Sequence, residues 1–232
     1  MKNRSALFLV GVIFAAAVSA SGQARTARSI KVIDKYAASI DKTVDSRSRP
    51  DIVAADTAAI DAAKPAWKIF DSVDALEKAG TEDDTYTIAY SWKKDDKLVA
   101  SRFTYSSPSG DWAEFVFHYF RADGSLARVD AELRTFTDDC VIRQSFYFNS
   151  SGKSLKRTRR YFDLNTDKSR KPCLGANALK FEYFKTAAGL PFAASLKEVR
   201  RHYEKVDRDL SGSPHRVFAD CFACGRRNVD VR

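Results

Sequence analysis

WAEFVFHYFRADGSLARVDAELR, residues 112–134, decides the fold. Successive side chains of a strand point to opposite faces. In the first half of this stretch Phe115, Phe117 and Tyr119 fall on one face, and Trp112, Val116, His118 and Phe120 on the other. A strand that is apolar on both faces belongs at the centre of a sheet, covered on both sides. Asp123-Gly124 is a strong hairpin signal. Beyond it Ala127, Val129, Ala131 and Leu133 oppose Arg128, Asp130, Glu132 and Arg134, so a second strand returns beside the first.

The same logic extends outward to residues 86–164. Tyr86, Ile88, Tyr90 and Trp92 alternate with Thr87, Ala89, Ser91 and Lys93, the pattern of a half-buried strand. Lys94-Asp95-Asp96-Lys97 turns the chain, and Val99, Phe103 and Tyr105 line the return strand opposite Arg102, Thr104 and Ser106. Ser107-Pro108-Ser109-Gly110 breaks the pattern. Further strands are expected from Cys140 to Phe148 and from Leu155 to Leu164, with Ser151-Gly152 between them. Tyr119-Phe120 stands four residues before Gly124, as Tyr147-Phe148 stands four before Gly152, and a Leu follows each glycine. This echo resembles the hairpin repeats of MORN-variant and YD proteins. With two copies it reads as hairpin chemistry rather than a repeat family.

The meander is flanked by helical patterns. Ile30, Ile33, Tyr36, Ala37, Ile40 and Val44 recur at helical spacing, with Ser29 as a candidate N-cap. Ser46 to Pro50 ends that helix. Ile52 to Ala63 is Ala-rich and favours a helix, and Trp67, Ile69, Phe70, Val73 and Leu76 continue an apolar stripe to Gly80. The whole of 28–80 is therefore expected to be helical. Glu82-Asp83-Asp84 reads as a linker, and 85–186 as the meander, ending in a strand from Leu179 to Lys185. Within 193–232, Ser195 to Val206 favours a helix over a strand, and a short strand and a Cys-containing tail follow. The expected class is α+β: N-terminal helices on a curved antiparallel sheet of about seven to nine strands, open or curled into a half-barrel. The element order is similar to that of periplasmic lipoprotein carriers, an analogy of fold alone.

With 232 residues and 44% apolar content the chain suits one domain with a substantial core, taken here as 25–232. Residues 1–24 read as a bacterial signal peptide. Lys2 and Arg4 form the charged region, Ala6–Val18 the apolar core, and Ala20 or Ala24 the cleavage point. No later segment is a membrane span. Of the formal charge of +9, two belong to Lys2 and Arg4, which leaves +7 after cleavage. The expected location is periplasmic or secreted. In an oxidising compartment the four cysteines favour disulfides, with Cys140 to Cys173 and Cys221 to Cys224 the preferred pairing. Zinc held by Cys221 and Cys224 with His215 or His202 is the alternative, and one CxxC is a weak metal signal.

The richest candidate site is basic. Lys153, Lys156, Arg157, Arg159, Arg160, Lys168, Arg170 and Lys171 stand among 19 residues, against Asp163 and Asp167. A strand carrying Arg157 and Arg159 on one face and Lys156 and Arg160 on the other cannot be buried on both. It is an edge strand guarded by charge, or an anion-binding surface. The expected anion site is Lys156, Arg157, Arg159, Arg160, Lys168, Arg170 and Lys171, beside an aromatic groove of Trp112, His118, Phe120 and Tyr161. Export favours an anionic envelope component (lipid, lipopolysaccharide or polysaccharide) over nucleic acid as partner. No nucleophile elbow, zincin helix or phosphate loop occurs, so no catalytic residue, metal site or cofactor is assigned. The function expected is that of a non-catalytic binding protein. The alternative is a secreted metal-dependent hydrolase using the C-terminal Cys and His residues.

Overall fold

The structure is a computed structural model that describes residues 6–59, 62–79, 87–173 and 181–196, with side chains from residue 23 onward. Contacts divide the chain at Ala193/Ala194, and all that follows concerns the first unit. Gly80, the 82–84 linker, the start of the 179–185 strand, most of the 195–206 helix, His202, His215, Cys221 and Cys224 lie outside the described residues.

One open antiparallel sheet of eight strands carries the fold, in the order β2-β1-β3-β4-β5-β6-β7-β8. These are β1 (Ile52–Asp56), β2 (Trp67–Phe70), β3 (Thr87–Lys94), β4 (Lys97–Ser106), β5 (Trp112–Phe120), β6 (Leu126–Thr135), β7 (Cys140–Phe148) and β8 (Ser154–Asp163). The class is α+β, as expected, and β5 sits inside the sheet between β4 and β6. The turns follow their sequence signals. Asp95 and Asp96 both take positive φ (50° and 56°), as a two-residue hairpin with a matching twist requires. Gly124 takes φ 80°, a region open to glycine without strain.

Helix α1 (Ala6–Asp45) crosses one face of the sheet near the β3–β4, β5–β6 and β7–β8 turns. The predicted stripe is the one that packs. Ala37 and Ile40, with Tyr36 and Val44, meet Trp92, Val99, Ala100 and Tyr119, while Ile30 and Ile33 meet Ala127, Tyr147 and Leu155. Ser29 is not an N-cap: the helix runs through it and its hydroxyl donates back to Arg25 O. The expectation of helix across 28–80 fails at β1 and β2. Ile52, Val53, Ala54 and Ala55 are all buried, paired with β2 on one side and β3 on the other. Alanine's helix propensity loses there to close packing on both faces, with Ala54 directly opposite Ala89. Only α2 (Val73–Lys78) of that stripe is helical. Ser72 caps it by accepting the Ala75 N–H at 3.0 Å, and Leu76 packs on Val53, Ala55 and Phe70.

The register sorts the strands into two faces. The face that bears α1 and α2 is called the helix face here. Opposite it, the far face carries Ala89, Ser91, Ser101, Phe103, Val116, His118, Phe120, Val129 and Phe146. The segment 181–192 covers it. Phe184 packs on Phe103 and His118, Tyr183 on Phe146 and Phe148, and Phe192 on Trp67 and Phe103. Residues 181–184 are therefore not the predicted strand; they cross the sheet as an irregular strap. Burial on β3 also departs from expectation, because Ala89 and Ser91 are as fully enclosed as Trp92. The Tyr-Phe echo acquires a meaning: the register shifts between the two residues of each pair, at Tyr119/Phe120 and Tyr147/Phe148. Each Tyr turns toward α1 and each Phe stays on the far face, as such a bulge allows. A disulfide joins Cys140 and Cys173, the pairing favoured from sequence.

Candidate functional site

Helix α1 covers only the turn end of the helix face. Three cross-strand rows run over that face. The covered row is Trp92, Ala100, Tyr119, Arg128, Tyr147 and Lys156. The next two are Tyr90, Arg102, Phe117, Asp130, Ser145 and Thr158, then Ile88, Thr104, Phe115, Glu132, Arg143 and Arg160; Tyr90 and Ile88 pack in the α2 cluster, and the rows open beyond them. Between them a groove of about 500 Å³ is lined by Arg102, Phe115, Phe117, Arg128, Glu132, Arg134, Arg143 and Ser145.

The groove's charges form a lattice. Glu132 accepts from Arg134 and Arg143, each at 2.7 Å. Burial raises the Glu132 pKa, but the hydrogen bonds from Arg143 and Arg134 outweigh it and hold the carboxyl below its usual range. Arg143 also reaches Asp167 at 2.9 Å. Arg128 bonds Asp130 at 2.8 Å and Asp34 of α1 at 3.0 Å, fastening the helix to the groove's rim. Arg102 differs: it is exposed, it lies over the Tyr90 ring at 5.4 Å, and no carboxylate among the described residues pairs with it. Phe115 and Phe117 are half-buried and form the apolar floor.

The basic cluster is spread over three places. β8 is an edge strand, as its two-faced charge required. Lys156 and Arg160 lie on the helix face, and Arg160 stands beside Arg143 in register, so the groove continues into β8. Arg157 and Arg159 lie on the far face, where Arg157 donates twice to Gln144 Oε1 (3.0 and 2.7 Å) and lies over the Phe146 ring. Arg170 donates to the carbonyls of Asp138 and Asp139, tying down the β6–β7 turn. Lys168 and Lys171 are exposed on the loop that doubles back along β8, where Arg170 N–H donates to Tyr161 O and Asp163 N–H to Lys168 O.

The predicted aromatic groove does not open to solvent. Trp112, His118, Phe120 and Tyr161 do share the far face, but His118 and Phe120 are fully buried beneath the strap. Trp112, 38% exposed, lies at the opposite end of β5. His118 is a structural pin. Its Nε2 accepts the Phe184 N–H at 3.2 Å, which leaves Nδ1 as the donor toward Ser101 O at 3.3 Å. Burial drives its pKa down to about 4, and the imidazole is neutral. Also on the far face, burial first and then Glu182 of the strap raise Glu114 to about 7.

The groove is not visible in the sequence because Arg102, Arg128, Asp130, Glu132 and Arg134 read there only as the polar side of strands. The available signal was charge alternation at period two on adjacent strands, which register turns into a patch. Among the described residues no cluster of His, Cys, Asp and Glu could hold a metal ion. No described helix is long and apolar enough to cross a membrane, which says nothing of strands.

Fold and site together define a class: an open antiparallel sheet with an arginine-and-phenylalanine groove on the face that its helix leaves half covered. No family model, curated protein or solved structure matches the chain.

Proposed function

We propose that this chain is an exported, non-catalytic binding protein of the bacterial envelope, with an anionic or amphiphilic ligand held on the helix face. One observation carries the reading: the open groove sets guanidinium groups beside an apolar floor and continues through Arg143 to Arg160 of the basic edge strand. Arginine suits phosphate and carboxylate because its planar fork engages two oxygens at once. The Cys140–Cys173 bridge supports a compartment outside the cytoplasm, in keeping with the leader-like residues 1–24. The hydrolase alternative rests on Cys221, Cys224, His202 and His215, which lie outside the described residues.

Flotation with anionic and zwitterionic vesicles tests the reading. Anionic vesicles are expected to retain the protein and neutral ones to release it, with retention weakening as salt rises. Lys156→Glu with Arg160→Glu, on the helix face, should lose more binding than Arg157→Glu with Arg159→Glu on the far face. Equal recovery with both lipids would end the lipid form of the proposal, and equal loss in both double variants would move the site off the helix face.

A further inference from the structure

We infer that the ligand is a monoanionic amphiphile whose single acid group is taken by Arg102 while its apolar body lies along Phe117 and Phe115. The inference rests on the binding function proposed above and narrows it. Arg128, Arg134 and Arg143 are each within 3.0 Å of a carboxylate, and between them they engage Asp34, Asp130, Glu132 and Asp167. Each of those three guanidiniums already has a carboxylate bonded to it, so a ligand anion there would meet that carboxylate's negative charge. The lattice also carries no surplus of positive charge to attract a polyanion. Arg102 is outside the lattice, over the Tyr90 ring, and lines the groove in the same cross-strand row as Phe117, its partner in register. A guanidinium with no carboxylate partner has its planar fork of N–H groups to offer to one bidentate acid. The groove's volume of about 500 Å³ falls in the roughly 300–1,000 Å³ range of small-molecule sites. Its floor of two phenylalanines suits an alkyl chain or ring better than a sugar.

The acid could belong to a free amphiphile or to a lipid headgroup, and two arms separate these sources. In the first, calorimetry measures decanoate, kept monomeric, against decan-1-ol of the same chain length. In the second, phosphatidylglycerol vesicles are compared with phosphatidylcholine vesicles. Wild type should bind decanoate at least tenfold more tightly than decanol, or bind the anionic vesicles selectively. R102Q should erase that preference and R102K restore part of it. F117A should weaken decanoate and decanol alike, and K64Q, at an exposed residue between β1 and β2, should change neither. Circular dichroism and melting confirm that each variant is folded; a misfolded R102Q is replaced by R102K and R102M, read on the same scale. If R102Q keeps wild-type preference for the acid in both arms, the inference falls while the binding function stands. If wild type binds neither decanoate nor anionic vesicles, both fall.

Discussion

The two faces of one sheet are built from the same strands yet have opposite chemistry. On the far face Phe103, Val116, His118, Phe120 and Val129 are sealed under the 181–192 strap, and even the Ser91–Ser101 hydroxyl pair is fully enclosed, bonded to itself at 2.8 Å. On the helix face α1 seals one row and stops, and a lattice of arginines and carboxylates fills what remains. The difference teaches where to look for function: the far face holds the molecule together, and the helix face has surface left to bind something.

The largest expected effect tests that division. Phe103→Ala removes a fully buried ring that touches Trp67, Tyr105, His118, Phe184 and Phe192. A loss of about 3–5 kcal/mol is expected in chemical denaturation. Phe117→Ala, on the groove floor, should lose clearly less, since its ring is only partly buried. Equal losses would break the comparison.

The disulfide comes next. Cys140 lies on the far face at the start of β7, and the bridge closes a loop of 33 residues onto it. Reduction should lower stability by about 4 kcal/mol if the gain is chain entropy. Thiol labelling of native protein should leave Cys140 and Cys173 unmodified until a reductant is added.

His118 gives the far face a pH signature. Its folded pKa of about 4 lies below the unfolded 6.5, so the unfolded chain takes the proton first as pH falls. The neutral-imidazole contribution is fully present above pH 6.5 and is lost progressively down to 4, in all about 3 kcal/mol. Glu114 works in the opposite sense. Its pKa rises from 4.5 to about 7 on folding, so its protonated form favours the fold below 4.5, and that contribution is lost as pH rises toward 7. Glu114→Gln should therefore unmask a steeper acid destabilisation, and His118→Gln should flatten it. Stability curves between pH 4 and 7.5 for both variants check the signs. Unchanged slopes would mean that the strap does not enclose these groups in solution.

The smallest effect belongs to the helix face. Glu132→Gln removes a carboxylate shared by Arg134 and Arg143 at a partly exposed site. It should cost about 1 kcal/mol or less. Its sharper consequence is on binding: Arg134 loses its carboxylate and Arg143 keeps only Asp167, so selectivity for a single acid should relax toward polyanions. Unaltered selectivity would show that the lattice does not restrict the groove.

Much of this was legible in the chain. The six strands β3 to β8 and their turns followed from period-two alternation and from Asp-Asp, Asp-Gly and Ser-Gly signals. The α1 stripe followed from helical spacing, and the Cys140–Cys173 pair from parity and compartment. The strand, turn and helix signals are local rules, with the cause within a few residues of the effect; the cysteine pair follows instead from a count over the whole chain. β1 and β2 were not legible, because the alanines that follow Ile52 and Val53 favour a helix and the segment becomes a strand only when β3 and β2 flank it. Nor could the aromatics of β5 say which would be sealed. His118 is closed by Phe184, 66 residues away, and Phe117, at the margin of the α1 cluster, is only partly buried.

The sequence by itself determined an α+β meander with a basic edge, since alternation, turn chemistry and charge are written residue by residue, and it favoured the Cys140–Cys173 pairing that the structure shows. Only the tertiary structure decided which charges are spent on one another. Antiparallel register sets Glu132 beside Arg143, and helix packing brings Asp34 to Arg128, leaving Arg102 without a carboxylate among the described residues. Charge pairing depends on distance in space, which alternation along one strand does not encode.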